Sequence, residues 1–277
     1  MNKKIKYLVY FGVFLNKDYL DLLRLLFESM AISSTDMGKF DIMVFTSNDF
    51  TDDISKISKQ YNVNIIVKTV DFLYTKYKVG RRPTQKKYID ILDASQMSLR
   101  IFELVDTNSY DKFLYLDSDI LILNDLNEIF NMRLENKLYA EQEDTIASEH
   151  HGAQFFDFTK INKNTPAFCA GVLLFKNCNE IKCLFEKTLN HILEYVKSGQ
   201  RIPRCVEQPF LVYNTLVSGM YNSQLTKIIN GEDQILKHFI GACGSGKTKY
   251  KIMSDYLSNI TILKRTCENN RYDGYDH

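Results

Sequence analysis

"DKFLYLDSDILILNDLNEIF", residues 111–130, reads as a buried strand interrupted by acid. Residues 113–116 and 120–123 are apolar runs rich in β-formers, the pattern of a strand covered on both faces. Asp117 and Asp119 fall between them. Burying an unpaired carboxylate is costly, so both side chains need partners. A turn with solvated aspartates is one answer. The other is a hard-cation site, because two carboxylates one residue apart can converge on one divalent ion. Their position just after "KFLYL" favours the second, since open α/β sheets bind ligands at the C-terminal ends of their strands. A cation held there would neutralise a diphosphate and stabilise it as a leaving group.

Outward from this segment, strand and helix signals alternate. "IKYLVYFGVF" (5–14) is a continuous β-rich run, and "KDYLDLLRLLFESM" (17–30) carries apolar residues at helical spacing. "FDIMVFT" (40–46) and "VNIIVKTV" (63–70) are further strands, with a polar helical stretch between them. "GRRPTQKKYIDILDASQMSLRIFELV" (80–105) begins as a loop and becomes a helix. "LENKLYAEQED" (134–144) and "AGVLLFK" (170–176) are strands, and helices are expected in residues 179–199 and 206–219. Residues 149–166, "EHHGAQFFDFTKINKNTP", have no period, as expected of a lid or binding loop between strands. The rhythm predicts an α/β fold with a mainly parallel twisted sheet flanked by helices. With four prolines and no low-complexity linker, residues 1–277 are expected to form a single domain.

Of the 277 residues 45% are apolar, enough for a core. Lys and Arg number 35 against 34 Asp and Glu, so no global field draws the chain to nucleic acid or to an anionic membrane. An anionic ligand must be held locally. The six cysteines show neither a C-x-x-C pair nor zinc-ligand spacing and read as reduced thiols. The basic, apolar N-terminus lacks a small-residue cleavage site and reads as the first strand rather than a signal peptide. No run reaches the ~18 apolar residues of a membrane span, and a cytoplasmic location is expected.

"GACGSGKT" (241–248) fits G-x-x-x-x-G-K-[ST], the phosphate-cradling loop of nucleotide hydrolases. Such a loop belongs near the start of a nucleotide domain, with a carboxylate strand further on. Only 29 residues follow Thr248, so a P-loop ATPase or kinase is disfavoured.

The 111–130 segment resembles the D-x-D segment of the retaining glycosyltransferases related to glycogenin and the bacterial lipopolysaccharide galactosyltransferases, glycosyltransferase family 8. "LNKDYL" (15–20), "FCAGVLLF" (168–175), "VEQPFLVYN" (206–214) and "KHFIG" (237–241) resemble further segments of that family, in its order. The resemblance implies the GT-A fold of nucleotide-diphospho-sugar transferases and transfer from a UDP-sugar to an acceptor hydroxyl. The acceptor, glycan or protein, is not specified, and a homodimer is left open.

The resemblance also implies roles for individual residues. Asp117, Asp119 and His238 would bind Mn²⁺, or Mg²⁺, and such a mixed carboxylate and imidazole set suits Mn²⁺. Gly12, Val13 and Phe14 would wall the nucleoside, with Asn16 near the base and Tyr19 stacked on uracil. Ser118 would join the nucleotide contacts, and Cys169, Ala170 and Gly171 would lie near the donor sugar. Glu207 would bond the sugar hydroxyls, and Gln208 would sit by the anomeric carbon; with Asp119 they form the expected catalytic set. Gly241 and Lys247 would close over the diphosphate, with Lys249 and Lys251 as alternatives. Cys169 stands where the family has Asn, and Glu207 where it has Asp. Ser98 falls where the family has a basic residue; Arg100, Arg81 and Arg82 are the substitutes, Arg100 at the edge of a helical arc through Ala94, Met97, Ile101 and Val105.

Overall fold

The alternation becomes a layered sheet in the computed structural model, which describes residues 6–33, 35–73, 83–232, 234–240 and 246–272. The first half runs β1 (Tyr7–Val13), α1 (Asp18–Ile32), β2 (Phe40–Thr46), α2 (Thr51–Gln60), β3 (Ile66–Thr69), α3 (Pro83–Ser95), α4 (Ile101–Leu104), β4 (Lys112–Leu116), β5 (Ile120–Ile122) and α5 (Asn127–Asn131). The second half runs β6 (Leu138–Thr145), β7 (Pro166–Lys176), α6 (Asn179–Lys197), α7 (Gln208–Val217), β8 (Tyr221–Asn222), α8 (Leu225–Asn230), β9 (Leu236–His238) and α9 (Gly246–Tyr272).

Seven strands form one sheet in the order β3-β2-β1-β4-β7-β6-β8. β1 runs parallel to both β2 and β4, and β3 continues the parallel part on β2. β7 is antiparallel to both β4 and β6. The chain leaves β1 toward β2 and returns on the other side as β4, so the strand order reverses between β1 and β4. In open α/β sheets the crevice outside the C-terminal strand ends at such a reversal is the general ligand site.

The pleat sorts β1 between two cores. Leu8 and Tyr10 pack with Leu92 of α3, Phe185 of α6 and Phe210 of α7. Val9, Phe11 and Val13 face the opposite layer, with Leu26 and Phe27 of α1, Ile54 of α2 and Phe130 of α5. Burial on both faces explains why the strand sequences are unbroken apolar runs. Across β4 and β7, Phe113 lies opposite Phe175 with ring centroids 5.3 Å apart and planes 19° apart. Such pairs add about 0.5–1.5 kcal/mol to the area they bury.

The continuous helix expected before β4 is broken. α3 stops at Ser95, Gln96–Ser98 form a 3-10 turn, and α4 is a separate turn of helix. Buried Asp93 accepts hydrogen bonds from Gln96 Nε2 and the Leu73 amide, each 2.8 Å. The Tyr10 hydroxyl donates to the Ser98 carbonyl at 2.6 Å, tying the turn to the middle of β1. The 100° phase used for Ser98 and Arg100 is therefore not kept through this segment.

After α7 the chain adds elements without a strong period. β9 pairs antiparallel with β5, His238 opposite Ile120. α9 starts inside the glycine-rich segment, and its Met253 and Leu257 pack on Leu22 and Leu25 of α1 and on Leu121 and Leu123.

Candidate active site

The aspartates leave the sheet where β4 ends. The Asp117 amide donates to the Gly171 carbonyl on β7 at 2.8 Å, and the Phe239 amide donates to the Asp119 carbonyl at 3.1 Å. The first bond anchors the interruption to the large sheet; the second brings it against the strand that carries His238. Ligand atoms of Asp117, Asp119 and His238 consequently lie within 4.8 Å of one another. His238 Nε2 is 3.3 Å from Asp119 Oδ1, which is buried without a hydrogen-bond partner. Gly171 completes the cradle: a Cβ there would lie 2.3 Å from His238 Cε1 and 2.9 Å from Asp117 Oδ2. An orphaned carboxylate oxygen among two carboxylates and an imidazole fits a divalent cation.

Burial and the neighbouring Asp119 push the Asp117 carboxyl above its ordinary range. Tyr115 offsets part of this by donating to Asp117 Oδ1 at 2.7 Å. Burial acts the same way on Asp119, but the adjacent His238 ring and the Lys249 ammonium outweigh it and hold that carboxyl at about 2. His238 is raised well above its usual value, despite burial, by Asp119, Cys169 and Glu141. The cluster thus holds two acids against two bases in one largely buried place, with Lys249 paired directly to Asp119.

Gln208 sits beside it at the start of α7. Its Oε1 accepts from the Ala170 amide at 2.9 Å, while Nε2 donates to the His150 carbonyl at 3.1 Å and to His151 Nδ1 at 3.2 Å. Both amide protons are engaged, which fixes the flip of the carboxamide. The aperiodic 149–166 loop therefore holds Gln208 through its first 3-10 turn (Glu149–His151). Glu207 next to it is pushed up to about 7 by burial, although a hydrogen bond with Ser95 pulls the other way. Val206, a β-branched residue, adopts φ 41° immediately before this pair. A conformation of that kind costs roughly 1–3 kcal/mol and is held only where the surroundings enforce it.

The sequence profile of glycosyl transferase family 8 matches residues 13–244. The chain belongs to glycosyl transferase family 8. Solved structures agree on the fold. The galactosyltransferase LgtC, in complex with donor and acceptor sugar analogues, is 15% identical with TM-score 0.58, over 91% of this chain and 95% of LgtC. The bifunctional glycosyltransferase WbbM is 16% identical with TM-score 0.59 over 96% of this chain, which spans about half (52%) of WbbM. Mouse xyloside xylosyltransferase 1 is 13% identical with TM-score 0.55, over 79% of this chain and 84% of that enzyme. A search of curated proteins finds no match. The α/β architecture is thus the GT-A fold of sugar-transferring enzymes.

Within this family 8 chain, the other expected residues divide by environment. Tyr19 is 44% exposed on the first turn of α1, outside the core, and partial burial and then the charges of Asp117 and Asp119 raise its hydroxyl. The side chains of Val13 and Phe14 are core, leaving their backbone at the strand end with Gly12. Asn16 exchanges hydrogen bonds with Asp18 in the turn into α1. Ser118 and Ala170 are buried within the cluster. Arg100 commits its fork to Glu103, at 2.9 and 2.8 Å, and to the Asp71 carbonyl. Gly241, Arg81, Arg82 and the Lys247 side chain lie outside the described residues, and Lys249 is the lysine seen at the aspartates. Sequence reasoning missed Tyr115, Ser95, His151 and Glu141, which touch the site residues from neighbouring elements.

Proposed function

We propose that the chain is a retaining transferase that moves a sugar from a UDP-sugar to an acceptor hydroxyl, with Asp117, Asp119 and His238 holding Mn²⁺ or Mg²⁺. The convergence of these three side chains at the β1/β4 crevice carries the reading. A bound cation would stabilise the charge that develops on the diphosphate leaving group. Tyr115 orients Asp117, and Lys249 adds a positive charge at the phosphate end. Tyr19, exposed at the mouth, offers a face for the uracil ring. Glu207 bonds the sugar hydroxyls. Gln208, locked by the 149–151 turn, faces the anomeric carbon, and an amide is too weak a nucleophile to form a covalent intermediate. The acceptor oxygen therefore attacks on the face from which the diphosphate leaves; the bond from the anomeric carbon to the phosphate oxygen breaks as the new one forms, and the acceptor proton passes to the departing oxygen. A reducing cytoplasmic setting suits the free thiols at Cys169, Cys178, Cys183 and Cys205. No described helix is long and apolar enough to cross a membrane.

A catalytically weak UDP-sugar-binding protein of the same fold is the second reading. It is favoured by Cys169, whose thiol stands 3.8 Å from His238 Nδ1 where the family has an amide. Mass spectrometry of products from a panel of UDP-sugars with Mn²⁺ separates the two. Transfer, or slow UDP release without acceptor, that disappears in Asp119→Asn supports the enzyme. Tight UDP-sugar binding with neither reaction supports the binding protein, and transfer unchanged in Asp119→Asn removes the metal assignment.

A further inference from the structure

His238 presents its two ring nitrogens to different acids. Nε2 faces Asp119 Oδ1 at 3.3 Å, and Nδ1 faces Glu141 Oε2 at 3.7 Å. Glu141 is only 5% exposed. Its Oε1 accepts from Asn230 Nδ2 at 2.7 Å, while Oε2 is buried with no hydrogen-bond partner. The pairing of β6 with β7 explains how an acid reaches this place. Ala140 lies opposite Leu173, but the next residue, Glu141, lies opposite Cys169, so the register jumps there and brings Glu141 behind the histidine.

An imidazole can offer the Nε2 lone pair to a cation only when its proton is on Nδ1, and that proton then needs an acceptor. Two groups face Nδ1, the Glu141 carboxylate and the Cys169 thiol at 3.8 Å. A carboxylate is the stronger acceptor, and this one has an oxygen with nothing else to accept. A shift of roughly 1 Å brings 3.7 Å to bonding distance.

We propose that Glu141 is a positioning residue of the cation site: it accepts the Nδ1 proton of His238, fixing the tautomer whose Nε2 lone pair points at Asp117 and Asp119. Asn230 holds the carboxylate by its other oxygen. The inference rests on the reading of Asp117, Asp119 and His238 as cation ligands, and its test separates the two. Free Mn²⁺ is counted by electron paramagnetic resonance in titrations of the native protein, Asp119→Asn, Glu141→Gln, Asn230→Ala and Cys169→Ser. Melting curves confirm that each variant is folded, and Asn230→Ala, which leaves the acid in place but unanchored, stands in should Glu141→Gln fail to fold. Glu141→Gln is expected to weaken Mn²⁺ binding roughly 10- to 100-fold, Asn230→Ala to weaken it less, and Cys169→Ser to leave it unchanged. With Mg²⁺ in place of the paramagnetic ion, ¹⁵N spectra of His238 are expected to show the Nδ1–H tautomer in the native protein and a mixture in Glu141→Gln. Native Mn²⁺ binding that is lost in Asp119→Asn but intact in Glu141→Gln, with the tautomer unchanged, overturns the inference alone. Loss in Cys169→Ser instead of Glu141→Gln does the same. Native binding that survives Asp119→Asn removes the cation reading and this inference with it.

Discussion

At the scale of single residues, the site depends on close approach and on where charge is buried. Gly171 has no space for a side chain because His238 and Asp117 occupy the position a Cβ would take. Gly171→Ala must push the histidine or the carboxylate aside, and misplacement by about 1 Å is worth roughly 100-fold in rate. Turnover is expected to fall by about that factor, with a matching loss of Mn²⁺ affinity in the same titration. An alanine variant with native turnover would mean that the cradle is looser than its distances. Glu207 gives a prediction in pH. Its carboxyl is pushed up to about 7 from 4.5 by burial. The folded state therefore keeps a proton that the unfolded chain has lost across that window, and stability falls as pH rises through it. Glu207→Gln removes the titration. Urea unfolding is expected to find the variant close to native stability near pH 4 and more stable than native above about pH 8, by up to about 3 kcal/mol. An equal difference at both pH values would show that Glu207 ionises freely in the fold.

At the scale of elements, the parts legible in the sequence were those whose burial is uniform or whose interruption is chemical. β2 occupies residues 40–46 as the apolar run predicts, and β4, the acid turn and β5 follow the pattern of residues 111–130. The break in the helix before β4 was not legible, because the apolar spacing continues across it and the cause is tertiary: Tyr10 from β1 claims the Ser98 carbonyl. Glu141 was hidden for a related reason. In "LYAEQED" it reads as one of several polar residues at a strand end, and only the register jump against β7 turns it inward. The aperiodic loop was recognised as a binding loop without a clue to what it holds. Its His151 is 2% exposed and accepts from Gln208. His151→Phe keeps an aromatic ring but removes one of the three hydrogen bonds that hold the carboxamide. Steady-state kinetics are expected to show kcat down by roughly 100-fold with KM for the UDP-sugar unchanged. A raised KM with native kcat would instead make the turn part of donor binding.

At the scale of the whole molecule, the candidate site draws on segments distant in the chain. Asp117 and Asp119 follow β4, Gly171 is on β7, Gln208 opens α7, His238 ends β9 and Lys249 lies in the first turns of α9. α9 in turn packs on α1 and on the β5 segment, so the strand carrying His238 is braced against one of the two helical layers. A ligand that bridges these segments binds the folded chain and not the unfolded one, and its binding energy adds to global stability. UDP at 100 times its dissociation constant, with Mn²⁺ present, is expected to add about 2.7 kcal/mol. For a chain of this size that raises Tm by roughly 5 °C. Calorimetry with Mn²⁺ alone, UDP alone and both together should show the large shift only for the pair if, as proposed, a diphosphate would complete the ligand set of a cation held by the three side chains. ATP with Mg²⁺ is the informative control for "GACGSGKT". That segment follows β9, in a two-stranded sheet, and its last three residues open α9; among the described residues no parallel strand beside β9 supplies the second carboxylate of a nucleotide hydrolase. A shift for ATP with none for UDP and Mn²⁺ would return the glycine segment to the role its motif suggests; a shift for UDP and Mn²⁺ alone would leave its glycines and lysines to the diphosphate of a sugar nucleotide.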